Sequence, residues 1–185
     1  MIWESAYWKE PLLEAARVIL SLSQATKLTD DQIGLIEYKV LTGFFSVRKL
    51  LEAGTKLSPE TYTYSVSFKR AAILDDAKNS NRTPDKFTRH QVDLFYDFSR
   101  THKTITSLGY LANQFVHSYI LEIQYERSTG WSFLVASDKD KSKFCNIVQL
   151  SDIASIFEIV GNDNPSSLEL IRGKDSDWIQ AEIKK

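Results

Sequence analysis

Gly109, Asn113 and His117 follow one another at four-residue steps, so on a helix they form one ridge: a residue without a side chain, then two polar ones. An imidazole can take or give a proton near neutral pH, and an asparagine amide can hold an oxygen or fix the ring's tautomer. The same pair also has a purely structural use. A histidine at the edge of an apolar face can be satisfied by an asparagine or a backbone carbonyl where helix turns into strand. His90 and His102 lie among Arg89, Arg100 and Lys103. From Lys69 to Lys103 eight basic residues face five acidic ones, a balance of +3, whereas from residue 150 onward seven acids and four bases leave -3. That asymmetry could steer a polyanion or a protein partner, or mark solvated faces. Asp75 with Asp76, and Asp138 with Asp140, could meet a hard cation, but Ca²⁺ asks for about six oxygens or more, and paired carboxylates commonly serve their own turns. Tyr62, Tyr64, Val66 and Phe68 share one side of an extended run, either as a stacking platform for bases or as the buried side of a sheet.

Other chemistries are absent from the sequence. There is no glycine-rich phosphate loop, dinucleotide fingerprint, serine elbow or paired-histidine zinc helix. The one cysteine, Cys145, lies in an apolar strand-like run and reads as a small buried thiol, which leaves no disulfide within the chain and no zinc cluster. No cofactor or metal is expected. A net charge of -1 and a pI of about 6.3 give no global basic footprint, so RNA is not the favoured partner. The first residues lack a basic start followed by an apolar core, and no run approaches the roughly 20 apolar residues of a membrane span. The expectation is a cytoplasmic protein without a membrane.

The elements that must position these residues can be traced in order. Trp3, Tyr7 and Trp8 lead into a helix expected from about Pro11, a residue suited to a first turn, with Leu12, Ala15, Ala16, Ile19 and Leu22 as its stripe. Thr29 and Gln32 form a capping box for a second helix, whose buried face runs Ile33, Ile36, Val40, Gly43 or Phe44, Val47, Leu50 and Leu51, with Gly54 as its stop. Residues 61 to 68 alternate as a strand, and 75 to 86 read as a mobile loop. Thr88 and Gln91 repeat the capping-box spacing ahead of Val92, Phe95 and Phe98, which predicts a third helix. Thr101 or Thr104 then caps the helix carrying Ile105, Leu108, Ala112, Phe115 and Val116. From Tyr119 the rhythm becomes that of a strand, and Arg127 to Gly130 and Lys139 to Lys143 make the turns of a three-stranded antiparallel meander. Ser151 is expected to cap a short helix, 152 to 160, that Gly161 ends, and a last helical turn is placed around Trp178, Ile179 and Ile183.

Asn113-Gln-Phe-Val-His117, on a helix that follows the amphipathic helix containing Phe44-Phe45-Ser-Val-Arg48-Lys-Leu-Leu-Glu52, resembles the motif region of HEPN domains. The resemblance spans residues 10 to 55 and 88 to 118. It implies a small prokaryotic helical domain of a defence or toxin-antitoxin system, many of which are metal-independent RNases that dimerise to bring two motifs into one cleft. The motif runs arginine, a polar residue, a few further residues, then histidine. Asn113 matches the polar position and His117 the histidine, while Ala112 occupies the arginine position. In such a site the histidine exchanges protons with a ribose hydroxyl or its leaving group, and the arginine stabilises growing phosphate charge. Alanine does neither. Arg48, on the second helix, is the residue that could stand in for it in space, or it could simply pair with Glu52 one turn on.

The reading is thus one α+β domain over 1–185: an N-terminal helical part, 1–118, with strand 61–68 at an edge or in a separate ribbon, packed on a mostly antiparallel sheet, the meander 119–149, followed by terminal helices. The expected function is a noncatalytic interaction or regulatory protein with a protein partner or self-association as a dimer. The alternative is a HEPN-like RNase with a degenerate motif, using His117, Asn113 and Arg48.

Overall fold

The computed structural model describes residues 2–165 and, for backbone pairing alone, 167–172 and 179–184. The fold is α+β. Helices α1 (Ala6–Ser23) and α2 (Asp30–Glu52) come first, α2 opening on the expected capping box, in which the Thr29 hydroxyl accepts from the Gln32 amide and the Gln32 side chain accepts from the Thr29 amide. Pro11 does not start α1 but sits inside it. The carbonyl it deprives of a donor is that of Tyr7, and both residues are exposed, so water can serve that oxygen.

A helical turn, α3 (Pro59–Tyr62), precedes strand β1 (Ser65–Ile73). The strand therefore begins later than the alternation from 61 implies, because Pro59 at the first helical position winds Thr61 and Tyr62 into the turn. β1 is not an edge strand either: the five-stranded sheet runs β2-β1-β5-β4-β3, antiparallel at every pairing. After β1 come the short α4 (Asp75–Asn79), inside the expected loop, and a 3-10 turn at Val92–Leu94. Then β2 (Tyr96–Ser107) runs twelve residues where a helix is predicted. Thr88 does not cap a helix there; its hydroxyl is tied to Asp85, whose carboxylate accepts from the Phe87 and Thr88 amides. The run that follows is rich in threonine and aromatic residues, which favour a pleated surface.

Ser107 caps α5 (Leu108–Val116) by accepting from the Tyr110 amide, so neither Thr101 nor Thr104 does, and Ile105 lies on β2 instead of on the helix. α5 carries the chain across the sheet from the β2 edge to the β3 edge. The meander is as expected: β3 (Ser118–Glu126), β4 (Gly130–Ser137) and β5 (Phe144–Gln149). α6 (Leu150–Asn162) follows β5 directly, with Gln149 at its N-cap position and no side-chain cap, so Ser151 lies inside the helix instead of capping it. Gly161 lies within α6, where a side chain would run into Leu13. The tail is a two-stranded hairpin, β6 (Ser167–Arg172) with β7 (Ile179–Lys184), in place of the expected helical turn; Trp178 lies outside the described residues.

Both faces of the sheet are covered. On one, Val66, Phe68, Phe133, Val135 and Val148 meet α1, α2, α5 and α6. Phe44 stacks on Phe115 with centroids 4.2 Å apart and takes the edge of Phe157 at 5.1 Å. Gly43 allows this approach, because a Cβ there would overlap the Phe157 ring. On the other face Ala71, Ile120, Leu134, Ala136, Cys145 and Ile147 are covered by Ala77, Val92 and Phe95 from the connection between β1 and β2, with Tyr96 at the start of β2. Cys145 is fully buried as expected, and burial pushes its thiol far above the usual range. Among the described residues no helix is long and apolar enough to cross a membrane.

Candidate functional site

Arg48 and His117, 69 residues apart in the chain, meet at the junction of α2 and α5, with Arg48 Nη1 2.6 Å from His117 Nε2. Each is placed by packing nearby. Arg48 flanks the buried Val47, and His117 is the C-terminal cap of α5, one turn past Asn113, whose carbonyl accepts the His117 amide at 3.1 Å. Because α5 is held against α2 by the Phe44–Phe115 stack, the guanidinium and the imidazole are brought together by the core beneath them. A guanidinium only donates, so Nε2 accepts and the proton of the neutral ring sits on Nδ1. Arg48 also donates through Nε to Glu52 at 2.7 Å, the one-turn pair expected from spacing. Arg48 thus makes the one-turn pair with Glu52 and the long-range contact with His117 through different nitrogens. Bonds from Lys49 and then Arg48 keep the Glu52 carboxyl below its ordinary range.

These residues open on a cleft of about 470 Å³ lined by Arg48, Tyr110, Asn113, Gln114, His117 and the turn 137–140. The Asn113 side chain is exposed on its wall and is not the partner of the His117 ring. The floor is a buried polar network. Gln114, almost fully buried, donates to Asp140 Oδ2 at 2.9 Å and accepts the Ser137 amide at 3.0 Å. Tyr110 and Ser137 hydroxyls reach the same carboxylate oxygen at 3.3 and 3.4 Å, and Lys143 donates to Oδ1 at 3.1 Å. Burial works to raise the Asp140 carboxyl, but the bonds from Gln114, Lys143 and Tyr110 outweigh it, and its pKa stands below the ordinary value. Burial also pushes the Tyr110 phenol up, against the pull of Arg70, so it stays protonated at neutral pH. Arg70 extends the network: Nε donates to Asn146 at 2.8 Å, Nη2 reaches Tyr110 at 3.3 Å, and the guanidinium lies 3.8 Å over the Phe144 ring.

The other candidates separate. Asp138 is exposed and paired with Lys141 at 2.7 Å, whereas Asp140 points inward, so the two carboxylates do not converge on a cation. Asp75 and Asp76 stand in the first turn of α4. Among the described residues no three His, Cys, Asp or Glu side chains lie close enough to share a metal ion. Val66 and Phe68 are in the core, so the run from Tyr62 is no platform for bases. His102 is exposed on β2, and His90 lines a second cleft of about 490 Å³ with Glu37, Arg89, Ser118, Tyr119, Leu121 and Glu122. Burial raises the Glu122 carboxyl there, against a smaller opposing pull from His90. Gln114 and Tyr110 are absent from the sequence-based candidates. The only signal for Gln114 is a polar residue between the buried Ala112 and Phe115, where an apolar one would fit the helix stripe. The chain matches no protein-family model, no curated protein and no solved structure.

Proposed function

We propose that this is a noncatalytic interaction or regulatory protein that uses the Arg48–His117 cleft to recognise an anionic group, a phosphate ester above all. The observation that carries this reading is the 2.6 Å contact between Arg48 and His117 at the mouth of the cleft. Arg48 Nη2 and the His117 Nδ1 proton have no acceptor among the described residues, which leaves one guanidinium nitrogen and one ring N–H to donate to an anion. The cleft is poor in the second ingredient that phosphodiester cleavage needs. A base and a separate acid must both titrate usefully, yet Asp140 is held ionised by its donors and Tyr110 protonated by burial.

A second reading, the metal-independent RNase implied by the resemblance to HEPN domains, is favoured by the same contact, because Arg48 supplies in space the cation that Ala112 does not supply in sequence. One experiment separates them. Titration of the ¹⁵N-labelled protein with inorganic phosphate and with a nucleoside monophosphate is expected to shift resonances of Asn113, His117 and Ser137, and Arg48→Ala to abolish the shifts. In parallel, incubation with RNA in EDTA is expected to give no cleavage above background. Cleavage that disappears in His117→Ala at unchanged melting temperature would replace the first reading with the second; an absence of both binding and cleavage would remove both.

A further inference from the structure

We infer that the free edge of β3, set inside the second cleft, receives an extended peptide as an added strand, one that carries a basic side chain to Glu122 between apolar residues. What names a polypeptide as the occupant is the backbone. In an antiparallel sheet each residue turns both its N–H and its C=O toward one neighbouring strand, and the next residue turns both the other way. The Ile73 amide donates to the Lys143 carbonyl, so Ile73, Ala71 and Lys69 face β5, and their partners Cys145 and Ile147 face β1. Asn146 and Val148 then face β4, and Leu134, which lies opposite Ile147, faces β3. Its partner Glu122 faces β4 in turn. Leu121, Ile123 and Tyr125 are left with N–H and C=O directed away from the sheet, because β3 is the last strand on that side. Such residues recur about every 6.8 Å, a row of paired donors and acceptors that another extended chain matches.

The edge is walled, and the walls select among peptides. Glu37 of α2 and Arg89 and His90 of the β1–β2 connection enclose about 490 Å³ with β3. Leu121 and Ile123 pack against the helical core and are only half-buried, so residues set opposite them meet apolar surface. Glu122 points to the other face, opposite Leu134 of the second core. Its half-buried carboxylate, like that of Glu37, has no hydrogen bond or ion pair among the described residues. A desolvated carboxylate without a donor is unfavourable, and an ammonium or guanidinium from an added strand supplies one. Asp93 presses on Glu122 as well, so three acids here stand against the exposed Arg89 and His90. A second copy of β3 is the wrong occupant, since Ser118–Glu126 carries Glu122 and Glu126 and no base.

A charge on an edge strand has another use, which is to keep other strands away. The two roles part in Glu122→Gln: loss of a docking contact weakens peptide binding, whereas loss of a guard leaves it unchanged or tightens it. The probe is the acetylated, amidated peptide Thr-Val-Lys-Val-Lys-Val-Thr, followed by ¹⁵N spectra and amide hydrogen exchange. In the free protein the Leu121 and Ile123 amides should exchange faster than those of Glu122 and Gln124, which face β4. The peptide should slow Leu121 and Ile123 roughly tenfold or more. Glu122→Gln should bind it about tenfold more weakly at an unchanged melting temperature, and Arg48→Ala as well as wild type. The same peptide methylated on its valine nitrogens keeps every charge but cannot pair with the edge, and should not bind. The proposal is overturned if the peptide does not bind, if it binds without protecting Leu121 and Ile123, or if the methylated form binds equally well. It is also overturned if Glu122→Gln binds as tightly as wild type or self-associates on size exclusion, since Glu122 is then a guard.

Discussion

His117 and Asp140 show how differently two polar side chains can be used within one cleft. His117 is exposed, its ring held by Arg48 and its amide by the end of α5, so its side chain carries little of the fold. His117→Ala is expected to cost less than about 1 kcal/mol in a urea titration, the value of one exposed hydrogen bond. A larger loss would give the histidine a structural role. Asp140 is buried, and its donors stabilise the ionised form. Its pKa in the folded protein lies below the unfolded value of about 3.9, so the unfolded chain binds more protons in that range. The stability contributed by the carboxylate is complete above the unfolded pKa and is lost as pH falls through the folded one. Melting temperatures from pH 6 to pH 2.5 should therefore fall less steeply in Asp140→Asn than in the wild type. Parallel curves would mean that Asp140 is not held by its neighbours.

The relation between α5 and α2 is the structural step on which the cleft depends. Phe115 is fully buried, stacked on Phe44 and touching the Phe133 ring edge at 5.8 Å. Phe115→Ala should cost about 3 to 5 kcal/mol, as emptying a buried aromatic site does. A shift in the urea midpoint worth under about 1 kcal/mol would contradict the packing described. Gly43 makes the complementary case. Gly43→Ala gains helix propensity but forces a methyl group into the Phe157 ring, and overpacking of this kind costs about 1 to 3 kcal/mol. If thermal melts show Gly43→Ala to be neutral, α2 and α6 must be able to separate at no cost.

At the scale of the molecule, β4 is the element that joins the two cores. Phe133 and Val135 face the helices while Leu134 and Ala136 face the cover from residues 74–95, and all four are buried. Neither core can be removed without exposing the other side of the same strand. Unfolding in urea followed by far-ultraviolet circular dichroism and by tryptophan fluorescence should therefore give coincident transitions. Trp131, which packs on the helical core and donates to the Ala25 carbonyl at 2.6 Å, makes the fluorescence a probe of that core. Separate transitions would show that the cover on the second face melts independently.

The sequence by itself determined what depends on neighbours a few residues apart. The Thr29 capping box, the meander from 119 to 149 and the one-turn Arg48–Glu52 pair all follow from local spacing, and each is present. So are the buried thiol and the apolar faces of α1 and α2. Where two conformations satisfy the same local pattern, tertiary structure chose between them. Residues 96–107 carry both a helical rhythm and a threonine-rich strand composition, and pairing with β1 decided for the strand. Pro59 moved the start of β1, and β5 on its far side made β1 an interior strand. The contact of Arg48 with His117 spans 69 residues, and no local spacing encodes it. It exists because the aromatic core sets α5 beside α2, and a packed core fixes which distant side chains become neighbours.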